Sequence, residues 1–452
     1  NMEQFGVLSL LPAVGVLILA VLTRRPLESL LAGSVLGLMM LNPDDLFVAF
    51  SQLALRTILD ETIGWVVLVC GLMGSLIMLL LKSGAAMMFS LALANRAKNR
   101  RLALLSTWLL GLVIFIDDYL NALAVGTSMR RLTDKYKVSR EMLSYVVDST
   151  AAPICILIPI STWAVFFAAL LESNQVAAQG QGMSLYIEAI PYMFYAWAAV
   201  LLVPLVASGL FPAIGPMKKA ERQAAQGLAI YSKQAESELE QEVLEQSSRV
   251  NLWSFLVPML SLLVITWFYD INVLVGIMAA VVICVVMFGA QGVMGWGELC
   301  DTVLDGIRLM IPALAIIFAS FMLKDVGEQM GLSQFVINSV EPLMTAEFLP
   351  LVAFLAIALV AFGTAAFWGV LAVAVPIILP LAVELGTPLP VIIGAMMSGA
   401  AFGSHACFYS DSTVLAAQAS EVGVMEHALS QLPYVLISAG IAMVAWILLA
   451  LI

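Results

Sequence analysis

The chain has 452 residues, of which 62% are hydrophobic and only 11% charged, and its mean hydropathy is +1.02. A soluble protein of this size carries about a quarter charged residues, so the composition excludes a water-soluble globular domain. Continuous rather than alternating apolar runs exclude a β-barrel, and the net charge of −11, much of it from one loop, gives no sign of a nucleic-acid partner.

The fold class that remains is an all-α polytopic membrane protein. Phe5–Leu22 is the first expected span, and it lacks the basic flank and small-residue cleavage site of a signal peptide. Arg24 and Arg25 follow, and Leu27–Leu41 returns. Asp44–Leu59 is polar and amphipathic, with Arg56 its only base. Ile63–Leu81 is the third span and ends at Lys82. Gly84–Ala94 reads as a short interfacial helix before Arg96, Lys98, Arg100 and Arg101.

Leu102–Met129 is apolar except at its middle, where Asp117, Asp118 and Asn121 stand together, and a second basic cluster follows at Arg130, Arg131, Lys135, Lys137 and Arg140. Lys and Arg near span ends favour the cytoplasm. Bases at both ends therefore predict a re-entrant hairpin over 102–129 that turns at Asp117–Asn121. Each arm has about a dozen residues, half a bilayer at ~1.5 Å per residue. The competing reading is one long tilted span with one basic cluster outside.

Met142–Leu171 reads as a crossing broken at Asp148-Ser149-Thr150-Ala151-Ala152-Pro153, because Pro153 and Pro159 remove backbone donors. Glu172–Gly182 has no base and belongs outside, and Met183–Phe211 crosses back. Residues 216–250 form a polar cytoplasmic linker with Lys218, Lys219, Arg222, Lys233 and Arg249, whose acidic stretch Glu236–Glu245 reads as a solvated helix face.

Residues 251–452 repeat the plan of residues 5–215. Leu252–Phe268, Val273–Phe288 and Ile307–Leu323 are spans. A second hairpin, 350–380, turns near Thr364. A second broken helix, 390–419, is expected to break around Ser398-Gly399 and Gly403-Ser404-His405, and Gln431–Ile452 closes the chain. Five crossings per half make the halves inverted repeats. That topology puts 18 of the 20 Lys and Arg inside, with only Arg56 and Lys324 outside. Asp118 and Asp148 are 30 residues apart, Thr364 and Ser398 are 34 apart, and Asp411-Ser412-Thr413 falls opposite Ser161-Thr162-Trp163 rather than Asp148-Ser149-Thr150. Duplicated broken helices with inverted topology are a secondary-transporter plan.

Charged groups at bilayer depth mark ion or substrate pathways. Na⁺ takes oxygen ligands, which unwound carbonyls, hydroxyls, amides and carboxylates provide. The candidate cation- or substrate-binding residues are Asp117, Asp118, Asn121, Asp148, Ser149, Thr150, Thr364, Ser398, Ser404, His405, Ser410, Asp411, Ser412 and Thr413, with Asp118, Asn121, Asp148 and Thr150 as the Na⁺ ligands. Neighbouring carboxylates in low dielectric also suit exchange of Na⁺ for H⁺. Asp117, Asp118, Asp148 and Asp411 equally suit helix capping. Ser161 and Thr162 are expected to bond back to their own helix, Trp163 to pack or to wall a site, and His427 to sit at the membrane interface. The five cysteines show no metal or disulfide spacing. No cofactor is expected beyond the carried ions Na⁺ and H⁺.

Three stretches of the first half, Ile116-Asp117-Asp118-Tyr119, Val146–Pro153 and Pro159-Ile160-Ser161-Thr162-Trp163, resemble the NhaC-type sodium/proton antiporter family. Phe402-Gly403-Ser404-His405 and Ser410-Asp411-Ser412-Thr413 resemble it in the second half. The resemblance implies the ion-transporter superfamily, whose members are typically homodimers with a scaffold and a moving, elevator-type transport domain. For this chain it implies a multi-pass protein of the bacterial inner membrane. The family includes sodium/proton antiporters, a malate/lactate exchanger and amino-acid carriers. Many members resemble Gly-Asp-His or Gly-Asp-Lys, then Ser-Pro, where this chain has Gly403-Ser404-His405-Ala406-Cys407-Phe408-Tyr409. The missing acid and proline leave room for a small organic solute carried with Na⁺. An intramembrane aspartyl protease would need a Gly-x-Gly-Asp motif, which the chain lacks. A transporter rather than an enzyme is therefore expected.

Overall fold

The computed structural model describes the chain apart from residues 1–4, 24, 60, 86–87, 90–95, 116–117, 160, 174–175, 179–180, 229–248, 270–271, 333–334, 336–337, 340–344, 366 and 452. Asp117, the acidic stretch Glu236–Glu245 and most of Gly84–Ala94 therefore lie outside the described residues, as does the Thr364 side chain.

Regular structure among the described residues is helical throughout. The first half holds α1 (Leu11–Thr23), α2 (Pro26–Leu41), α3 (Leu46–Ile58), α4 (Glu61–Lys82), α5 (Arg100–Val113), α6 (Asp118–Lys135), α7 (Arg140–Ser149), α8 (Ala152–Leu157), α9 (Thr162–Ser173), α10 (Gly182–Ala189) and α11 (Phe194–Ser208). Helix α12 (Gly215–Ala225) opens the linker. The second half holds α13 (Leu252–Phe268), α14 (Val273–Ala290), α15 (Trp296–Gln329), α16 (Leu349–Thr364), α17 (Phe367–Leu385), α18 (Leu389–Ala406), α19 (Asp411–Ser420) and α20 (Val424–Leu451). Polar side chains start several of them. Asn99, Ser139, Asn272 and Ser410 each accept a first-turn N–H, and Asn251 with Ser254 forms a reciprocal capping box.

Large apolar side chains face outward along whole helices, among them Leu260, Val264 and Trp267 on α13 and Ile441, Val444 and Leu448 on α20. An apolar exterior of this extent belongs in lipid. Among the described residues α18 and α20 are long and apolar enough to cross a bilayer, and several apolar helices of 10–17 residues accompany them. The stretch expected as a single span over 183–211 bends by 54° between the turn at Ile190–Tyr192 and α11. Pro191 in that turn has no N–H to continue the ladder. The span expected over Ile307–Leu323 belongs to a longer helix, α15, which begins at Trp296.

The first hairpin folds back. The Asn121 side chain on α6 reaches the Gly111 carbonyl of α5 at 2.7 Å, although ten residues of continuous helix would separate them by about 15 Å. The first broken helix is interrupted twice, at Thr150–Ala151 and again between the end of α8 at Leu157 and the start of α9 at Thr162, beside Pro153 and Pro159, which cannot donate to a regular ladder. The second departs from expectation: α18 runs unbroken through Ser398-Gly399 and Gly403-Ser404-His405, and the interruption falls at Cys407–Ser410. No proline stops the helix there. Gly403 instead serves close packing, since a Cβ on it would stand 2.2 Å from the Ala361 methyl of α16.

Helix starts over residues 100–162 recur 249 residues later in the second half. Helix α5 starts at 100 and α16 at 349; α6 starts at 118 and α17 at 367; α7 with α8 covers 140–157 and α18 covers 389–406; α9 starts at 162 and α19 at 411. Side chains repeat with them. Ser161 accepts from the Ala164 N–H and donates to the Cys155 carbonyl, while Ser410 accepts from the Thr413 N–H and donates to the Ser404 carbonyl. At this interval Ser410 stands opposite Ser161, one residue from the sequence alignment, and Ser398 stands opposite Ser149.

The helices pack as two assemblies. One gathers α1–α4 with α13–α15, centred on the α4–α15 contact. The other gathers α5–α11 with α16–α20, and the two meet chiefly where α4 touches α6 and α15 touches α19. A small, largely apolar cavity lies on this seam, between Met73, Leu76 and Ile77 of α4, Thr127 of α6, and Phe255 and Met259 of α13.

Candidate functional site

Asp148 is fully buried one residue before the end of α7. Its Oδ2 accepts three hydrogen bonds, from Gln431 Nε2 at 2.8 Å, His427 Nε2 at 3.0 Å and Thr413 Oγ1 at 3.3 Å. Its Oδ1 is buried without a partner. An ionised carboxylate offers lone pairs on both oxygens. One side of this group is thus saturated by the protein, and the other is bare.

Helix periodicity explains the donors. His427 and Gln431 are four residues apart on α20 and so share one face, and Thr413 lies in the first turn of α19. His427, expected at the interface, is fully buried. Two polar residues at i, i+4 in an apolar helix were the signal for it. Gln431 is also 2.8 Å from the His405 carbonyl in the last turn of α18. One carboxamide therefore joins the broken helices of both halves. The two Asp-Ser-Thr runs, which differ in repeat position, meet here through Thr413.

His405 is held at both nitrogens, with Nε2 3.1 Å from Ser149 Oγ and Nδ1 2.7 Å from Tyr195 OH. Tyr195, on α11, had no signal in the sequence beyond being aromatic. Ser404 Oγ lies 2.9 Å from Ser412 Oγ, and the Ser404 carbonyl accepts from Ser410, Ser412 and Thr413. These contacts tie the end of α18 to the start of α19 across the interruption. The Asp411 Oδ1 accepts from the Ser412 N–H at 2.8 Å, a local turn contact.

The hairpin tip lies against the same break. Asn121 Nδ2 is 2.7 Å from the Gly111 carbonyl, 2.6 Å from that of Ile114 and 2.9 Å from that of Thr150. It caps the ends of α5 and α7 at once. Its Oδ1 is buried without a partner. A Cβ on Gly111 would stand 2.2 Å from Thr150 Oγ1, so only glycine lets α5 approach the break this closely. The Thr150 hydroxyl donates back to Val146 and Val147, leaving it oxygen lone pairs alone. Asp118, the first residue of α6, is fully buried and accepts from Trp163 Nε1 at 3.2 Å. Trp163 is thus a polar partner of the tip as well as a packed core residue, fully buried in the apolar cluster beside it. Ser161, expected to bond back to its own helix, instead caps the start of α9 and donates to the Cys155 carbonyl of α8. Ser398 is buried in α18 with its hydroxyl unpartnered, and no contact brings it to Asp148.

Residues 177–451 match the model of the Na+/H+ antiporter family. The chain belongs to this family. An uncharacterized protein of Haemophilus influenzae is 29% identical over 95% of the chain and 88% of its own length. An arginine/ornithine antiporter, ArcD, of Halobacterium salinarum is 30% identical over 35% of the chain and 33% of its own length. A malate-2H(+)/Na(+)-lactate antiporter of Bacillus subtilis is 44% identical over 15% of the chain and 14% of its own length. The family and the apolar helices make this chain a membrane transporter of the antiporter class, coupled to ions. The resemblance read from motifs of both halves thus meets a family match whose residues lie mainly in the second half.

Proposed function

We propose that this antiporter-family chain is a secondary active transporter that exchanges Na⁺ for H⁺ by elevator-type alternating access. The observation that carries the reading is Asp148: a fully buried carboxylate where two broken helices meet, with one oxygen bare. Asp118, Asn121, Asp148 and Thr150 supply a carboxylate, an amide oxygen with no partner, a second carboxylate and a hydroxyl oxygen, a donor set that suits Na⁺. His405, Ser149, Ser404, Ser410, Asp411, Ser412 and Thr413 frame it. Asp117, Thr364 and Ser398 complete the proposed pathway on the evidence of their sequence positions.

The 249-residue interval between the stretches 100–162 and 349–411 supports two related halves, which we read as five crossings each, inverted in the bacterial inner membrane. Ion pairs support the topology. Arg130 and Arg140 with Glu421, Lys82 with Asp305, and Arg100 with Glu221 join segments assigned to the cytoplasm, whereas Arg56 pairs with Asp325 beside the other outside base, Lys324. Asp148 lies eight residues, about 12 Å of helix, beyond Arg140, a depth near the midplane. The division into two assemblies supports a scaffold and a moving unit, and a homodimer through the scaffold follows the superfamily plan.

A second reading is a Na⁺-coupled carrier of a small organic solute. The named relatives of Halobacterium and Bacillus move amino acids or carboxylates, and Ser404 stands where many family members have an acid. Proteoliposomes loaded with a pH-sensitive dye separate the two. A Na⁺-driven proton flux without organic solute that vanishes in Asp118→Asn supports exchange. A folded wild-type protein that responds only when an amino acid or carboxylate is present overturns it in favour of the carrier.

A further inference from the structure

Gln431 is 1% exposed, and its carboxamide can point only one way. Both neighbours of Nε2, Asp148 Oδ2 and the His405 carbonyl, are 2.8 Å away and accept only, so a flipped amide would set oxygen against oxygen twice. The amide oxygen, Oε1, is buried and without a partner. Asp148 Oδ1 is in the same condition. Each bare oxygen shares a carbon with an atom of the 2.8 Å contact, so the two flank a single hydrogen bond. Buried acceptors are costly when unsatisfied. Of the donors beside them, the amide N–H groups go to Asp148 and the His405 carbonyl, His427 Nε2 goes to Asp148, and Thr413 is shared between Asp148 and the Ser404 carbonyl, while His427 Nδ1 is itself buried without a partner.

We propose that Gln431 is itself a cation ligand: with Asp148 it forms a seat for a monovalent cation on the face of α20, where Asp148 supplies the charge and Gln431 Oε1 a neutral oxygen. The inference rests on cation coupling as proposed above and adds a residue of the last helix to the site. The occupant is Na⁺ or the ammonium group of an organic solute, which share the demand for a carboxylate and a neutral oxygen. Because the same amide grips His405, a cation drawn toward Oε1 also bears on the junction between the two broken helices.

Thermal unfolding of the purified full chain in detergent tests this, with NaCl, ethylammonium chloride, and choline chloride as the ionic-strength control. A ligand of the folded state raises the midpoint with its concentration. Wild type is expected to respond to Na⁺, to ethylammonium or to both over choline, and the responding salt names the occupant. Asp148→Asn is expected to abolish the response. Gln431→Met, close to isosteric, is expected to raise the half-saturating concentration at least tenfold, and Gln431→Asn, which withdraws the oxygen by one methylene, serves if the first variant does not fold. A Gln431 variant that unfolds earlier without salt but keeps the wild-type half-saturation overturns the ligand role and leaves cation coupling standing. A folded wild type indifferent to both cations overturns the coupling reading and this seat with it.

Discussion

His427 Nε2 lies 3.0 Å from Asp148 Oδ2, and both side chains are sealed from solvent although they are 279 residues apart in the chain. The last helix thereby holds the carboxylate of the first broken helix in one orientation. Removing a hydrogen-bond partner of a buried carboxylate costs about 1–3 kcal/mol. His427→Leu is therefore expected to lower unfolding stability by about that amount. Asp148→Asn with His427→Leu should cost less than the sum of the singles, because the second change removes a group already deprived of its partner. A double-mutant cycle on unfolding midpoints checks this, and strict additivity would refute the coupling.

Asn121 holds the hairpin to the break through an N–H₂ group facing three carbonyls. Asn121→Asp keeps the shape but replaces both donors by an acceptor. It is expected to destabilise by about 3 kcal/mol or more, since several buried carbonyls would then face a carboxylate. Asn121→Leu should be milder, having no charge to bury. Midpoints from a fluorescence-detected unfolding assay would rank the two; the reverse order would show that Asn121 is not a donor in the folded protein.

At the tip of the second hairpin, Ala365 has φ +53°, in the left-handed region. An L-residue there carries about 1–2 kcal/mol of strain that glycine avoids. Ala365→Gly is expected to be neutral or to stabilise by about 1 kcal/mol, the lost strain being partly offset by the freer unfolded chain. A loss of more than about 1 kcal/mol would mean that the Ala365 methyl, not its backbone, matters.

Arg140 is 4% exposed and bonds both Asp134, in the last turn of α6, and Glu421 at the end of α19. Arg140→Ala is expected to cost about 1–2 kcal/mol, because both acids lose a cation but remain partly exposed and Glu421 keeps Arg130. Glu421 is half exposed, so Glu421→Gln should cost about 1 kcal/mol or less and less still in high salt. Unfolding in low and high NaCl distinguishes them, with KCl at matched ionic strength controlling for specific Na⁺ effects.

The sequence by itself determined a membrane-embedded helical protein, since an 11% charge content cannot cover a soluble surface. It also singled out Asp118 and Asn121, because polar and charged groups in an apolar run have few structural uses. The prolines at 153 and 159 marked both interruptions of the first broken helix, as backbone donors are lost wherever proline stands. In the second half no proline marks the interruption, and Gly403 looked like a break when it is a contact with Ala361. The sequence cannot separate those two uses of glycine, because both follow from the missing Cβ and only the neighbouring helix decides. The partners of Asp148 were hidden for a related reason. His427 and Gln431 form a polar pair on one helix face, but which face turns inward, and which carboxylate it meets, depends on packing between segments nearly 280 residues apart. Local chemistry named the acids; tertiary structure chose the oxygen of Asp148 that the protein saturates and the one it leaves bare.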